Sequence, residues 1–224
     1  MKAVILGKAD SRRIPHKNYR PFYEGQSLTD ILIEKLVKSL DRSDIYLSCE
    51  DEEYRSAAEK WGINFIHRDV KYTLLETNTV DVVRGVCKDI PGEDDILYCS
   101  CMDPLFDSYD DMFRIWNEVR ADHDSLNVVY PMKKYFLGKD HEPIGFGFGH
   151  WHKYSQYIPP VYQISWANEI LTRECVERVG YMVGETPFWF DAYNPTVDID
   201  TEKDWELAHV IYRYYTEKAA SQKG

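Results

Sequence analysis

No stretch of the 224 residues approaches the roughly 18 consecutive apolar residues that a bilayer span requires. The apolar run at residues 3–6 is too short for the core of a secretory signal. Basic charge is in deficit, with 27 Lys and Arg against 38 Asp and Glu and a formal net charge of −11. A general nucleic-acid coat needs an excess of basic charge, so no nucleic-acid partner and no membrane partner is expected. A local basic cluster holding one small anion stays open. Cysteine is sparse and odd in number: Cys49, Cys87, Cys99, Cys101 and Cys175 are scattered, as reduced thiols of a cytoplasmic protein would be. Cys99-x-Cys101 lacks two further ligands at matching spacing, which argues for buried thiols over zinc. Phosphate-loop and dinucleotide fingerprints are absent, since no G-x-x-x-x-G-K-[ST] occurs and Gly7 stands alone. Gly145-x-Gly147-x-Gly149 opens no helix and reads as turn chemistry. Repeats and low-complexity segments are missing too. What remains is an ordinary globular balance, 44% hydrophobic and 29% charged, with 17 Tyr, 9 Phe and 6 Trp. That suffices for a single domain over 1–224 with a core of its own.

Apolar runs alternate with helical patterns. Strands are expected at 3–6, 45–47, 63–66, 95–101 and 126–130. Helices are expected at 52–61, stopped by Gly62, and at 79–88, 109–120 and 202–218, with residues 219–224 frayed. Ser27 and Asp30 resemble a capping box ahead of Leu28, Ile31, Leu32, Leu36 and Leu40, which recur at helical spacing. The β-α order predicts an α/β fold with a mostly parallel sheet covered on both faces. Ligands of such sheets sit outside the carboxyl ends of the strands. Residues 132–165 break the rhythm with glycines, prolines and aromatics. They read as a β-rich excursion, a lid or a dimer arm, or as a long surface loop packed by its own aromatics. Tyr135, Phe136, Phe146, Phe148, Trp151, Tyr154, Tyr157 and Tyr162 are candidates for lining a pocket or for core and dimer contacts.

Two segments carry chemistry. Residues 8–20 hold Lys8, Arg12, Arg13, Lys17 and Arg20 against Asp10 alone, a local balance of +4. At the mouth of a parallel sheet, Arg forks, Lys point charges, Ser11 and backbone N–H groups make a polyphosphate cradle. The other reading is a solvated charged loop. Asp198-x-Asp200 points two carboxylates to one side of an extended segment, because the side-chain period there is two. Such a pair calls for a cation, and Mg²⁺ suits oxygen ligands. One of these residues, or Thr201, also caps the final helix. Asp103, after the strand at 95–101, is a third metal candidate or else an Asx-turn residue.

Together these ends resemble the acylneuraminate cytidylyltransferase family. Ile5-Leu6-Gly7-Lys8-Ala9-Asp10-Ser11-Arg12-Arg13-Ile14-Pro15-His16-Lys17-Asn18 is similar to its opening motif I-x-A-R-x-x-S-[KR]-x-[IL]-P-x-K-N. Val197-Asp198-Ile199-Asp200-Thr201-Glu202-Lys203-Asp204-Trp205 is similar to its V-D-I-D-T-x-x-D-[WLF]. The resemblance implies a Rossmann-like fold of the nucleotide-diphospho-sugar transferase type. It implies transfer of CMP from CTP to a sugar-acid hydroxyl, a need for Mg²⁺, and a homodimer. It places Lys8, Ser11, Arg12, Lys17, Asn18, Arg68, Thr77 and Thr79 on the nucleotide, and Asp198 and Asp200, with Asp103, on the metal. Arg12, Lys17 and Asp200 become the catalytic candidates. Departures fall on the acceptor side: Ser100 and Phe106 stand where Q-P-T-S-P-L-R has Gln and Arg, and 163–169 replaces R-P-N-G-A-I-Y. Lys8 in place of Arg loses a bidentate fork. The alternatives are a non-sugar or phosphonate acceptor, a glycosyltransferase using Asp-x-Asp, and a non-catalytic nucleotide-binding paralogue.

Overall fold

The structure is a computed structural model that describes residues 1–9, 11 and 13–222. Among the described residues, eleven strands and six α-helices follow in chain order. They are β1 (Lys2–Leu6), β2 (Pro21–Tyr23), β3 (Gln26–Ser27), α1 (Leu28–Leu36), β4 (Ile45–Cys49), α2 (Arg55–Trp61), β5 (Asn64–His67), α3 (Thr79–Cys87), β6 (Ile96–Cys99), α4 (Tyr109–Val119), β7 (Ser125–Met132), β8 (Phe136–Leu137), β9 (Pro143–Ile144), β10 (Val161–Leu171), α5 (Arg173–Arg178), β11 (Pro187–Asp191) and α6 (Glu202–Ser221). Seven strands form the central sheet in the order β11-β7-β10-β6-β1-β4-β5. All neighbours pair parallel except β10, which runs antiparallel to both β6 and β7. This is the mixed but mostly parallel α/β sheet that the alternating pattern predicts.

Burial explains the layers. β1 and β6 are apolar on both faces, as strands covered twice must be. One face packs Ile5, Leu47, Leu97 and Leu126 against α1, α2, α4 and α6, with Trp116 and Phe106 fully buried. The other packs Val4, Tyr46, Tyr98 and Leu171 against α3 and α5. α1 starts with the expected capping box, Ser27 accepting from Asp30 N and Asp30 from Ser27 N. It ends at Leu36, so Leu40 lies beyond it. α2 is shorter than expected because residues 52–54 form a 3₁₀ turn; it stops at Gly62 in a left-handed conformation, φ +65°.

The expected excursion at 132–165 needs correction at both ends. Met132 belongs to β7, and β10 begins at Val161 inside the main sheet, so the excursion proper is 133–160. Its strands are only the two-residue ribbon β8–β9. The strand β10 escapes the sequence pattern because Pro159 and Pro160 precede it and a register shift falls between Ile164 and Glu169, where Trp166 takes φ +53°. Gly145 and Gly149 have φ of +77° and +106°, the turn role expected of them. Strand β11 and helix α5 had no signal of their own in the sequence reading. α6 runs on to Ser221, through residues expected to fray.

Candidate functional site

The loop after β1 begins where the chain needs a glycine. A Cβ on Gly7 would stand 2.4 Å from the Tyr19 hydroxyl and 3.2 Å from the Ser48 carbonyl. Arg68, 4% exposed, braces the same point from beneath: it donates to the Gly7 carbonyl and, at 2.9 Å, to Glu50. Glu50 in turn accepts from Ala9 N at 2.9 Å. Arg68 therefore fixes the root of the loop. Glu50 carries no motif of its own; its only sequence signal is its place directly after β4, at the carboxyl edge of the sheet. Lys8 donates to the Thr73 carbonyl at 3.1 Å. Asn18 is buried; its amide donates to the Lys8 carbonyl at 3.3 Å, and its own carbonyl accepts twice from Thr29. Ser11 lies half-buried in the loop. Arg12 lies outside the described residues.

The loop then crosses to the other end of the chain. Lys17 Nζ donates to the Ile199 carbonyl at 2.6 Å. Arg13, expected only as one of the cradle's basic residues, donates to Asp200 Oδ1. Arg20 pairs in bidentate fashion with Glu202, at 3.0 and 2.7 Å, and lies 3.8 Å from the centre of the Trp205 ring. Only a planar guanidinium does both at once. Three cations of one loop thus reach Ile199, Asp200 and Glu202 of a single four-residue segment.

That segment keeps its alternation without being a strand. Val197 and Ile199 sink into the core, and Asp198 and Asp200 are left on the opposite side. Ile199 N donates to the Met102 carbonyl at 3.1 Å, which seats the segment beside the loop after β6. Thr201 is the N-cap of α6, in a capping box with Asp204. Asp200 is therefore free of capping duty. Burial, with Asp200 beside it, pushes the Asp198 carboxyl up to about 6, and its Oδ1 is buried with no partner among the described residues. Burial lowers the pKa of Lys17, against the pull of Asp200 and Asp198.

Asp103 faces inward nearby but is engaged. Its Oδ2 accepts from Tyr130 and, at 3.2 Å, from Thr196; Oδ1 has no partner among the described residues, and burial raises its pKa. Among the described residues, no three His, Cys, Asp or Glu side chains stand together as a metal cluster. Asp103 is thus not brought into one group with Asp198 and Asp200. An orphaned buried carboxylate oxygen beside a second carboxylate nonetheless fits a hard divalent cation that keeps other ligands from solvent or substrate. Thr77 is turned elsewhere: it donates to the Lys71 carbonyl and lines a surface cavity of about 610 Å³ with Tyr72, Arg84 and Lys88. Thr79 is exposed at the first turn of α3. Phe106 is fully buried, so it cannot take over the contacts of a solvent-facing arginine. The excursion's aromatics cluster with one another, Tyr135 lying 5.0 Å from Phe146 and 4.9 Å from His152.

The sheet brings a basic strand-end loop against an acidic pair, and likeness to cytidylyltransferases makes the chain an enzyme of the nucleotidyltransferase class. Residues 3–101 match the family model described as cytidylyltransferase. The pseudaminic acid cytidylyltransferase of Campylobacter jejuni subsp. jejuni serotype O:2 is 24% identical over 230 residues, covering 96% of this chain and 97% of that one. A structure of CMP:2-keto-3-deoxy-manno-octonic acid synthetase complexed with CTP superposes with a TM-score of 0.65 at 12% identity, over 96% of this chain and 98% of that one. A glucose-1-phosphate thymidylyltransferase from Bacillus anthracis gives a TM-score of 0.65 at 12% identity, over 95% of each chain. The family model thus matches residues 3–101 alone, and over nearly the whole length the chain is similar to a curated cytidylyltransferase and shares the fold of these solved enzymes. Among the described residues, no helix is long and apolar enough to cross a membrane.

Proposed function

We propose that the protein transfers CMP from CTP to a hydroxyl of a small anionic sugar acid of the nonulosonic type, with release of pyrophosphate. The observation that carries this reading is the convergence of Arg13, Lys17 and Arg20 on residues 199–202 at the carboxyl edge of the sheet. Lys17, with Arg12, holds the triphosphate and offsets charge on the departing pyrophosphate. Lys8 and Asn18 position the nucleotide end of the loop, and Arg68 keeps that loop in place through Gly7 and Glu50. Asp198 and Asp200 would hold Mg²⁺, which when bound neutralises phosphate charge and polarises the phosphate under attack. The chain's own contribution is positioning and fixed charge in a partly dry site. The excursion at 133–160 exposes Phe148, Trp151 and Tyr154 at 72%, 88% and 70%. Its part in this reading is the contact surface of a homodimer in the cytoplasm.

The test is a pyrophosphate-release screen with each nucleoside triphosphate, Mg²⁺ and a panel of sugar acids and phosphonates. Release with CTP and a nonulosonic acid, and little with other pairs, is the expected result. Release with a different triphosphate, or none across the panel, overturns the reading.

A further inference from the structure

Arg13 occupies the position that the motif S-[KR]-x-[IL]-P leaves open, yet it makes a direct contact with the acidic pair. Its guanidinium donates to Asp200 Oδ1, and the two side chains are 64% and 39% exposed. A pair so wet adds little to stability. The loop is already tied to this segment by two other contacts, Lys17 on the Ile199 carbonyl and Arg20 on Glu202 and Trp205. Stapling is therefore not what Arg13 adds. It places a positive charge on the more accessible of the two carboxylates, where an incoming divalent cation would bind. A guanidinium and a divalent cation on one carboxylate repel each other. A triphosphate arriving in the same loop offers the guanidinium a better, bidentate partner.

We propose that Arg13 is a resident counter-charge that couples cation binding to nucleotide binding: it holds Asp200 in the empty site and transfers to the triphosphate when nucleotide enters, opening Asp200 to the metal. The inference rests on the nucleotide reading of the loop given above. By linkage, whatever draws Arg13 away from Asp200 raises cation affinity, and the cation raises nucleotide affinity by the same factor. Free metal alone is then a weak ligand, and the site fills with the two together.

The experiment measures two affinities separately in the whole chain. Mn²⁺ alone is titrated and the free ion followed by electron paramagnetic resonance. CTP alone is titrated calorimetrically in EDTA. Arg13→Gln is compared with wild type, with Arg13→Lys, which keeps the charge, and with Arg20→Gln, which removes an equal charge from the same loop. Arg13→Gln is expected to bind Mn²⁺ about fivefold tighter and CTP about fivefold more weakly. Arg13→Lys should stay near wild type for Mn²⁺, and Arg20→Gln should shift Mn²⁺ affinity by less than about twofold. Opposite signs for the two ligands are the signature, since loss of loop order would weaken both. Equal Mn²⁺ affinity in wild type and Arg13→Gln overturns the inference, as does an Arg20→Gln effect as large as that of Arg13→Gln. If CTP fails to bind wild type with and without Mn²⁺, the reading of the site falls and this inference with it.

Discussion

Lys17 carries a half-buried ammonium whose pKa burial lowers and the two neighbouring aspartates raise. Burial and the two carboxylates thus act on this ammonium in opposite directions. Lys17→Ala and Asp200→Asn should each reduce pyrophosphate release by on the order of 10²-fold, read in steady-state assays, if they touch the transition state. Glu169 shows the same effect of burial, with no side-chain partner among the described residues. It lies in β10 at 1% exposure, and burial alone raises its carboxyl from 4.5 to about 8. A carboxyl raised in the folded state contributes full stability below the unfolded pKa and loses it as pH rises through the folded one. Stability should therefore fall between about pH 4.5 and 8. Glu169→Gln should flatten that slope in urea melts and be the more stable chain at pH 9. The close approach at Gly7 gives a third outcome. Gly7→Ala should lose about 1–3 kcal/mol, with part of the loss recovered in the double variant with Tyr19→Phe, whose ring no longer carries the hydroxyl in the way.

Elements with a strong local signal were legible, and those fixed by distant partners were not. The capping box at Ser27 and Asp30 and the stop at Gly62 are local chemistry, and both stand where the sequence places them. Thr201 as the cap of α6 was one of the readings left open; the choice depends on Asp204 reaching back to Thr201 N at 2.7 Å. Thr201→Ala should cost about 1 kcal/mol in thermal denaturation, and Thr201→Ser much less. The Ala variant should also weaken Mn²⁺ binding, because the box fixes the backbone at Asp200 through the bond from its N–H to Asp204. β10 was hidden because its register breaks at the bulge around Trp166, and a broken alternation has no period to read. Within the site, the basic loop and the two aspartates were legible as charge patterns. The braces Arg68–Glu50 and Tyr130–Asp103 were not, since they join positions 18 and 27 residues apart through the fold alone.

On the scale of the whole molecule, the excursion and the sheet make separate claims. If the excursion joins two copies, light scattering should give twice the 26.4 kDa chain mass. Paired substitutions Phe148→Ser and Trp151→Ser should return it toward one copy with the sheet intact by circular dichroism. The sheet itself has a consequence for how the chain is made. β10 fills the slot between β6 and β7, and among the described residues no other strand pairs with either on that side. A nascent chain that has emerged only as far as the prolines at 159 and 160 holds two unsealed strand borders facing each other across a gap. Until the following eleven residues close it, either border can capture the matching segment of another ribosome's product.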